Sequence, residues 1–297
     1  MATCRILDTW DDFLRFWAAA ASLPPPAQAD LWRADYMARY PELLRKQVDD
    51  YTSQGVDWRD IAADRIFPRL PERLPRMQAA RDHLPHVCVS IYERARATLH
   101  LDFDVLFVIY VGIGCGAGWA TRYEGRPACL LGLENIAEEG WHTREGLARL
   151  VAHELGHLAH MAWRDEWDEF AANEGDPLFL LYSEGVAVRC AEAILADEAR
   201  PARGDAAPSA WWAAHREALA AEFLRRVDSG EAVRDFFGSW YSVEGRSQTG
   251  HDLGREFIRH LERERPLRAV AALPVAEVRD AARAFLRGAG GGGSFII

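Results

Sequence analysis

The stretch LVAHELGHLAH, Leu150 to His160, decides how this chain is read. Apolar residues Leu147, Leu150, Val151, Leu155 and Leu158 recur at helical spacing with no proline among them, which predicts an amphipathic helix. Residues four apart on a helix lie one above the other, so His153 and His157 can present two imidazole nitrogens to one metal ion. Glu154 is rotated to the side, where it can reach a water on the ion instead of the ion itself. His160 lies about 10 Å of helical rise beyond His153 and is expected to be a packed histidine, not a third ligand. Gly156 in mid-helix costs about 1 kcal/mol relative to alanine, so another element is expected to approach closely there.

A zinc ion needs a further protein ligand. The extended pattern H-E-x-x-H-x-x-G-x-x-H fails, because His160 and Trp163 stand where glycine and the last histidine would be. The better candidate is Glu184 in LLYSEGVAVRCAE, whose helical neighbours Leu180, Leu181, Ala187, Val188 and Ala191 are all apolar. A carboxylate on such a stripe is costly to bury without a compensating charge, and two histidines, a glutamate and an open position form a catalytic zinc set. A salt bridge, to Arg189 on a neighbouring turn or to a distant arginine, is the alternative role for Glu184. Asp168, Glu169 and Asp176 are rival ligands in an acidic loop that reads as a solvated charge run.

A chain of 297 residues with 49% hydrophobic and 27% charged content can bury a full core. A net charge of −10 argues against a nucleic-acid partner. The start, MATCRILDTWDDFLRFW, lacks the basic-then-apolar pattern of a signal peptide, and no apolar run is long enough for a membrane span. Cys4, Cys88, Cys115, Cys129 and Cys190 are scattered without CxxC spacing, so reduced thiols in a cytoplasmic protein are expected.

Residues 1–98 read as a helical N-terminal region broken by LPPPAQ and FPRLPERLP, which are expected not to be helix interiors. FDVLFVIYVGIG reads as a buried strand, and ACLLGLENI, Ala128 to Ile136, as the next. The cluster GIGCGAG does not fit G-x-G-x-x-G and reads as a turn joining two strands, not a dinucleotide loop. A second helix is expected over PLFLLYSEGVAVRCAEAILADE, further helices to Leu286, and a flexible glycine-rich tail over 289–297. The expected fold class is α+β and mostly helical, with a small sheet and an active-site helix in a catalytic domain over 99–288.

HELGH followed by SEGVA resembles the gluzincin zinc metallopeptidases, in which a glutamate on a second helix completes the metal site. GHDLGREFIRHL and LPVAEVRDAARAFL are also similar to bacterial predicted zinc-dependent proteases, which carry an aromatic residue at the position of His251. The resemblance implies a zincin-like domain and Zn²⁺ on His153, His157 and Glu184. It implies hydrolysis of peptide or protein substrates by a metal-bound water that Glu154 deprotonates. It also implies an extended substrate along an edge strand, expected at 128–133, and an oxyanion donor after the glutamate helix, His251 or Tyr241. A zinc hydrolase of a non-peptide amide and a non-catalytic binding module are the alternatives. Glu154 argues against the latter, since a structural zinc site has no use for a base.

Overall fold

The computed structural model describes residues 2–173, 175–196, 210–238 and 240–290. The chain divides into two compact units, 1–154 and 155–297.

The first unit opens with strand β1 (Cys4–Asp8), followed by helices α1 (Trp10–Ala20), α2 (Pro25–Leu31), α3 (Pro41–Ser53), α4 (Trp58–Ile61) and the long α5 (Leu70–Leu99). Strands β2 (Val105–Tyr110), β3 (Gly118–Tyr123) and β4 (Arg126–Gly132) and the short helix α6 (Leu133–Glu138) come next. The sheet order is β1-β2-β4-β3, with β1, β2 and β4 parallel and β3 antiparallel to β4. The expected boundary near residue 98 does not separate compact units, because Cys4–Asp8 pairs in register with Val105–Ile109.

Three local expectations are corrected. ACLLGLENI is not one strand: the chain turns helical at Leu133. β4 is not an edge either, since it lies between β2 and β3 with Ala128 to Gly132 all buried. A strand lined on both faces reads as a continuous apolar run; the edge is β3, GWATRY, half-exposed for most of its length. Pro75 and Pro85 lie inside α5. An interior proline costs about 3 kcal/mol, offset here by burial of Leu84, Cys88, Ile91 and Tyr92, each large apolar side chain contributing about 1.5–3 kcal/mol.

The N-terminal helices also hold the turn that leads from β2 to the edge strand. Tyr36 Oη accepts from Val111 N at 3.0 Å, and Trp32 Nε1 donates to Val111 O at 3.2 Å. Gln47 Oε1 accepts from Ile113 N at 3.2 Å, and Tyr51 Oη donates to Ile113 O at 2.8 Å. From the other side the buried Glu134 carboxylate accepts from Gly112 N at 2.7 Å and Gly114 N at 3.2 Å. Gly114 and Gly116 have φ of +93° and +139°, a region that disfavours any residue with a Cβ.

Helix α7 (Arg144–Arg164) follows α6 in the chain. The second unit continues with α8 (Trp167–Asn173), α9 (Pro177–Leu195), α10 (Ala210–Ser229), α11 (Thr249–Leu261), α12 (Leu267–Ala271) and α13 (Val275–Gly290). Asp176 caps α9 by accepting from Leu178 N at 2.9 Å and pairs with Arg279, so it is not a metal ligand but a structural acid. The side chains of Asp168 and Glu169, and the end of the chain from residue 291, lie outside the described residues; α13 extends through Gly290. Among the described residues no helix is long and apolar enough to cross a membrane. The architecture is mostly helical α+β with one four-stranded mixed sheet.

Candidate metal centre

Two close helix contacts build the site. At Gly156 an added Cβ would lie 2.7 Å from Ala187 O and 2.9 Å from Cys190 Cβ, so α7 rests directly on α9. This is the close approach that a mid-helix glycine in HELGH predicts. At Gly185 an added Cβ would lie 2.3 Å from Gly254 O, and at Gly254 it would lie 2.5 Å from Leu181 O. Backbone therefore touches backbone where α9 meets α11. Glu184 is next to one of these glycines, and His251 is one turn before the other.

The result is a cluster on α7, α9 and α11. His153, Glu184 and His251 each offer one ligand atom, all within 4.8 Å of one another, an arrangement that could hold a metal ion. His157 joins it: its Nε2 is 3.6 Å from Glu184 Oε2, and its Nδ1 is 3.5 Å from Ser183 Oγ. His251 Nε2 is 3.1 Å from the same Glu184 oxygen, and its Nδ1 faces Gln248 O at 3.3 Å. Burial works against an imidazolium at His251, but the adjacent Glu184 carboxylate outweighs it and raises its pKa above the usual histidine value. Imidazole nitrogen and carboxylate oxygen are donors that suit first-row transition metals.

Arg189, the other partner weighed for Glu184, is engaged elsewhere. Its guanidinium donates to Glu262 at 2.6 Å and pairs with Glu192. Glu184 thus faces histidines, as its place on an apolar stripe suggests.

His160 behaves as a packed residue. It is fully buried, with its ring 4.9 Å from Phe170 and 5.0 Å from Tyr182, centroid to centroid. Burial, reinforced by Arg164 and His157, holds its pKa well below the usual value, so it stays neutral.

Glu154 is buried and lies against the start of the edge strand. A Cβ on Gly118 would fall 2.2 Å from its Oε1, so a larger residue there would require the Glu154 side chain to shift. Tyr241 is 42% exposed with its ring near Gly238, and among the described residues it makes no hydrogen bond or ion pair with Glu184 or the histidines.

His251 is therefore placed differently from the sequence expectation of an oxyanion donor alone. It is a direct neighbour of the metal-capable carboxylate. The only sequence signal is that Gly185 and Gly254 each lie one turn or less from Glu184 or His251 and each permit a close helix contact; that they meet each other is seen only in the structure. No family model matches the chain, and neither a curated protein nor a solved structure shows significant similarity to it.

Proposed function

We propose that this chain is a zinc-dependent peptidase of the gluzincin kind, in which Glu154 is the general base. The observation that carries the reading is the convergence of His153, Glu184 and His251 on points within 4.8 Å. His157 beside the same carboxylate supports it, as does Glu154 on the same helix at the sheet edge. Zinc fits a donor set of imidazoles and one carboxylate, and His153, His157 and Glu184 would hold it. When bound, zinc supplies a Lewis acid that polarises a carbonyl and makes water more acidic.

The chain's own residues supply the rest. Glu154 takes the proton of the attacking water at its carboxylate and returns it to the nitrogen of the leaving amine. The free edge of β3 offers backbone N–H and C=O groups to an extended peptide, starting at Gly118 beside Glu154. His251 Nε2–H, held near Glu184, donates to the oxygen that gains charge.

A second reading is favoured by the same cluster: His251 is itself a ligand, which would close the ion's coordination. Zinc analysis of His153→Ala, His157→Ala, Glu184→Ala and His251→Ala, paired with an unbiased peptide-library cleavage assay, separates the two. Under the first reading only His251→Ala keeps zinc while losing turnover; under the second it loses zinc as well. Full zinc occupancy in Glu184→Ala would overturn both. Zinc binding with no cleavage of any peptide, but with hydrolysis of other amides, would redirect the substrate class; zinc with no hydrolysis at all would leave a binding module.

A further inference from the structure

Lys46 is the only lysine in a chain whose lysines and arginines total 35. It projects from α3 onto the edge strand. Its Nζ donates to Thr121 Oγ1 at 3.0 Å and lies 5.7 Å from the centroid of the Trp119 ring. Lys46 is half-buried, yet among the described residues no carboxylate lies within ion-pair distance of its ammonium. Several arginines of the same unit are paired: Arg15 with Asp12, Arg39 with Asp35, Arg59 with Asp30 and Arg81 with Asp8. The nearby acid, Glu42, is occupied in accepting from Glu124 N at 2.9 Å in the turn between β3 and β4.

A half-buried cation offered only a hydroxyl and a ring face has lost water without gaining a counter-charge. Burial, together with the neighbouring Arg45, lowers its pKa despite the opposing effect of Glu42, consistent with that deficit. A carboxylate brought to this point would make a charge-assisted hydrogen bond in a partly desolvated place.

Strand geometry says which carboxylate. Side chains alternate across a strand, so Gly118 and Ala120 share the face toward Glu154, while Trp119 and Thr121 share the opposite face with Lys46. A peptide added along β3 alternates in the same way. Gly118 and Thr121 are separated by about 10 Å at about 3.3 Å per residue. A peptide side chain that meets Lys46 is thus about one to three residues from a bond placed at Glu154.

We propose that Lys46 is a specificity-determining residue whose ammonium pairs with an Asp or Glu side chain of an extended peptide substrate seated on the free edge of β3, about one to three residues from the scissile bond. This rests on the peptidase reading for the peptide's seat and deepens it by naming the substrate class, acidic peptides.

The test uses matched peptides that carry Glu or the isosteric Gln at each position near the cleaved bond. With zinc-loaded full-length protein, kcat/KM should favour Glu over Gln by about tenfold at one position, the scale of one added charged hydrogen bond. Lys46→Met, which keeps the apolar stem against Trp119, should bring that ratio close to one. Lys46→Glu should invert it toward Lys at that position, and Lys46→Arg should retain it. Fluorescence anisotropy of the same labelled peptides on Glu154→Gln protein reads recognition without turnover. If no peptide is cleaved but the Glu peptide binds about tenfold tighter than the Gln peptide in a Lys46-dependent way, the peptidase reading fails and the acidic-peptide site stands. Equal binding and equal cleavage of the two peptides, or a Glu preference that survives Lys46→Met, overturns the proposal.

Discussion

Gly185→Ala tests whether the proposed metal centre depends on the contact between α9 and α11. An alanine Cβ at this position would lie 2.3 Å from Gly254 O, 2.5 Å from Gly254 C and 2.7 Å from Ile258 Cγ1. An ordinary carbon–oxygen contact is about 3.3 Å or more, so the helices must separate by about 1 Å. The obstructing atoms are backbone in the interior of α11 and cannot rotate away. Overpacking of this kind costs about 1–3 kcal/mol, which for a unit of this size lowers Tm by roughly 2–10 °C. The displacement passes straight to the site, since Glu184 is the preceding residue and His251 is one turn from Gly254. An error of about 1 Å in a catalytic arrangement costs on the order of 10²-fold in rate. Calorimetry with and without zinc, chelator competition for the zinc Kd, and kcat would read all three effects. The rise in Tm on adding zinc should shrink in Gly185→Ala, because a weaker Kd lowers the linkage stabilisation. A Gly185→Ala protein with the wild-type Tm and zinc Kd would refute the close-contact account of the site.

Glu154→Gln should keep zinc and the wild-type Tm while losing about 10²–10⁴ in turnover, the usual contribution of a general base; unchanged hydrolysis would place the base elsewhere. His160→Phe should keep full zinc and lose no more than about 1.5 kcal/mol of stability, because it exchanges a neutral ring for another of similar size in an aromatic pocket; loss of zinc by metal analysis would bring His160 into the site. Burial, only partly opposed by the N–H groups of Gly112 and Gly114, raises the Glu134 pKa to about 7, against about 4.3 for an unfolded glutamate. The folded chain then binds the proton more tightly than the unfolded one, so this group favours folding most at low pH and its contribution is lost as pH rises from about 4.5 to 7, by about 3 kcal/mol. Denaturant titrations from pH 4.5 to 8 should show that fall in the wild type and a flatter profile in Glu134→Gln; equal slopes would show that Glu134 titrates normally.

What the sequence could show, and what it could not, follows from the range of the interactions. His153, Glu154 and His157 are related by one helix, so four-residue spacing carries their geometry without any knowledge of the fold. Glu184 is legible for an energetic reason: a carboxylate flanked by Leu181, Ala187 and Val188 needs a partner, and the structure gives it imidazoles. Arrangements that depend on pairing distant segments are different. β1 is only Cys4–Asp8, and its partner lies about a hundred residues away in the chain, so nothing in CRILD marks it as part of the sheet. His251 reaches Glu184 because Gly185 and Gly254 touch; each glycine is visible alone, but their meeting is not. The sheet edge shows the same limit and its remedy. ACLLGL looks more strand-like than GWATRY because it is more apolar, and that is the reason it belongs inside the sheet, covered on both faces. An edge strand has one side open to solvent or ligand and carries a mixed sequence. The half-exposed strand with a glycine beside Glu154 and a tryptophan and threonine beside Lys46 is therefore the one with the composition of a sheet edge.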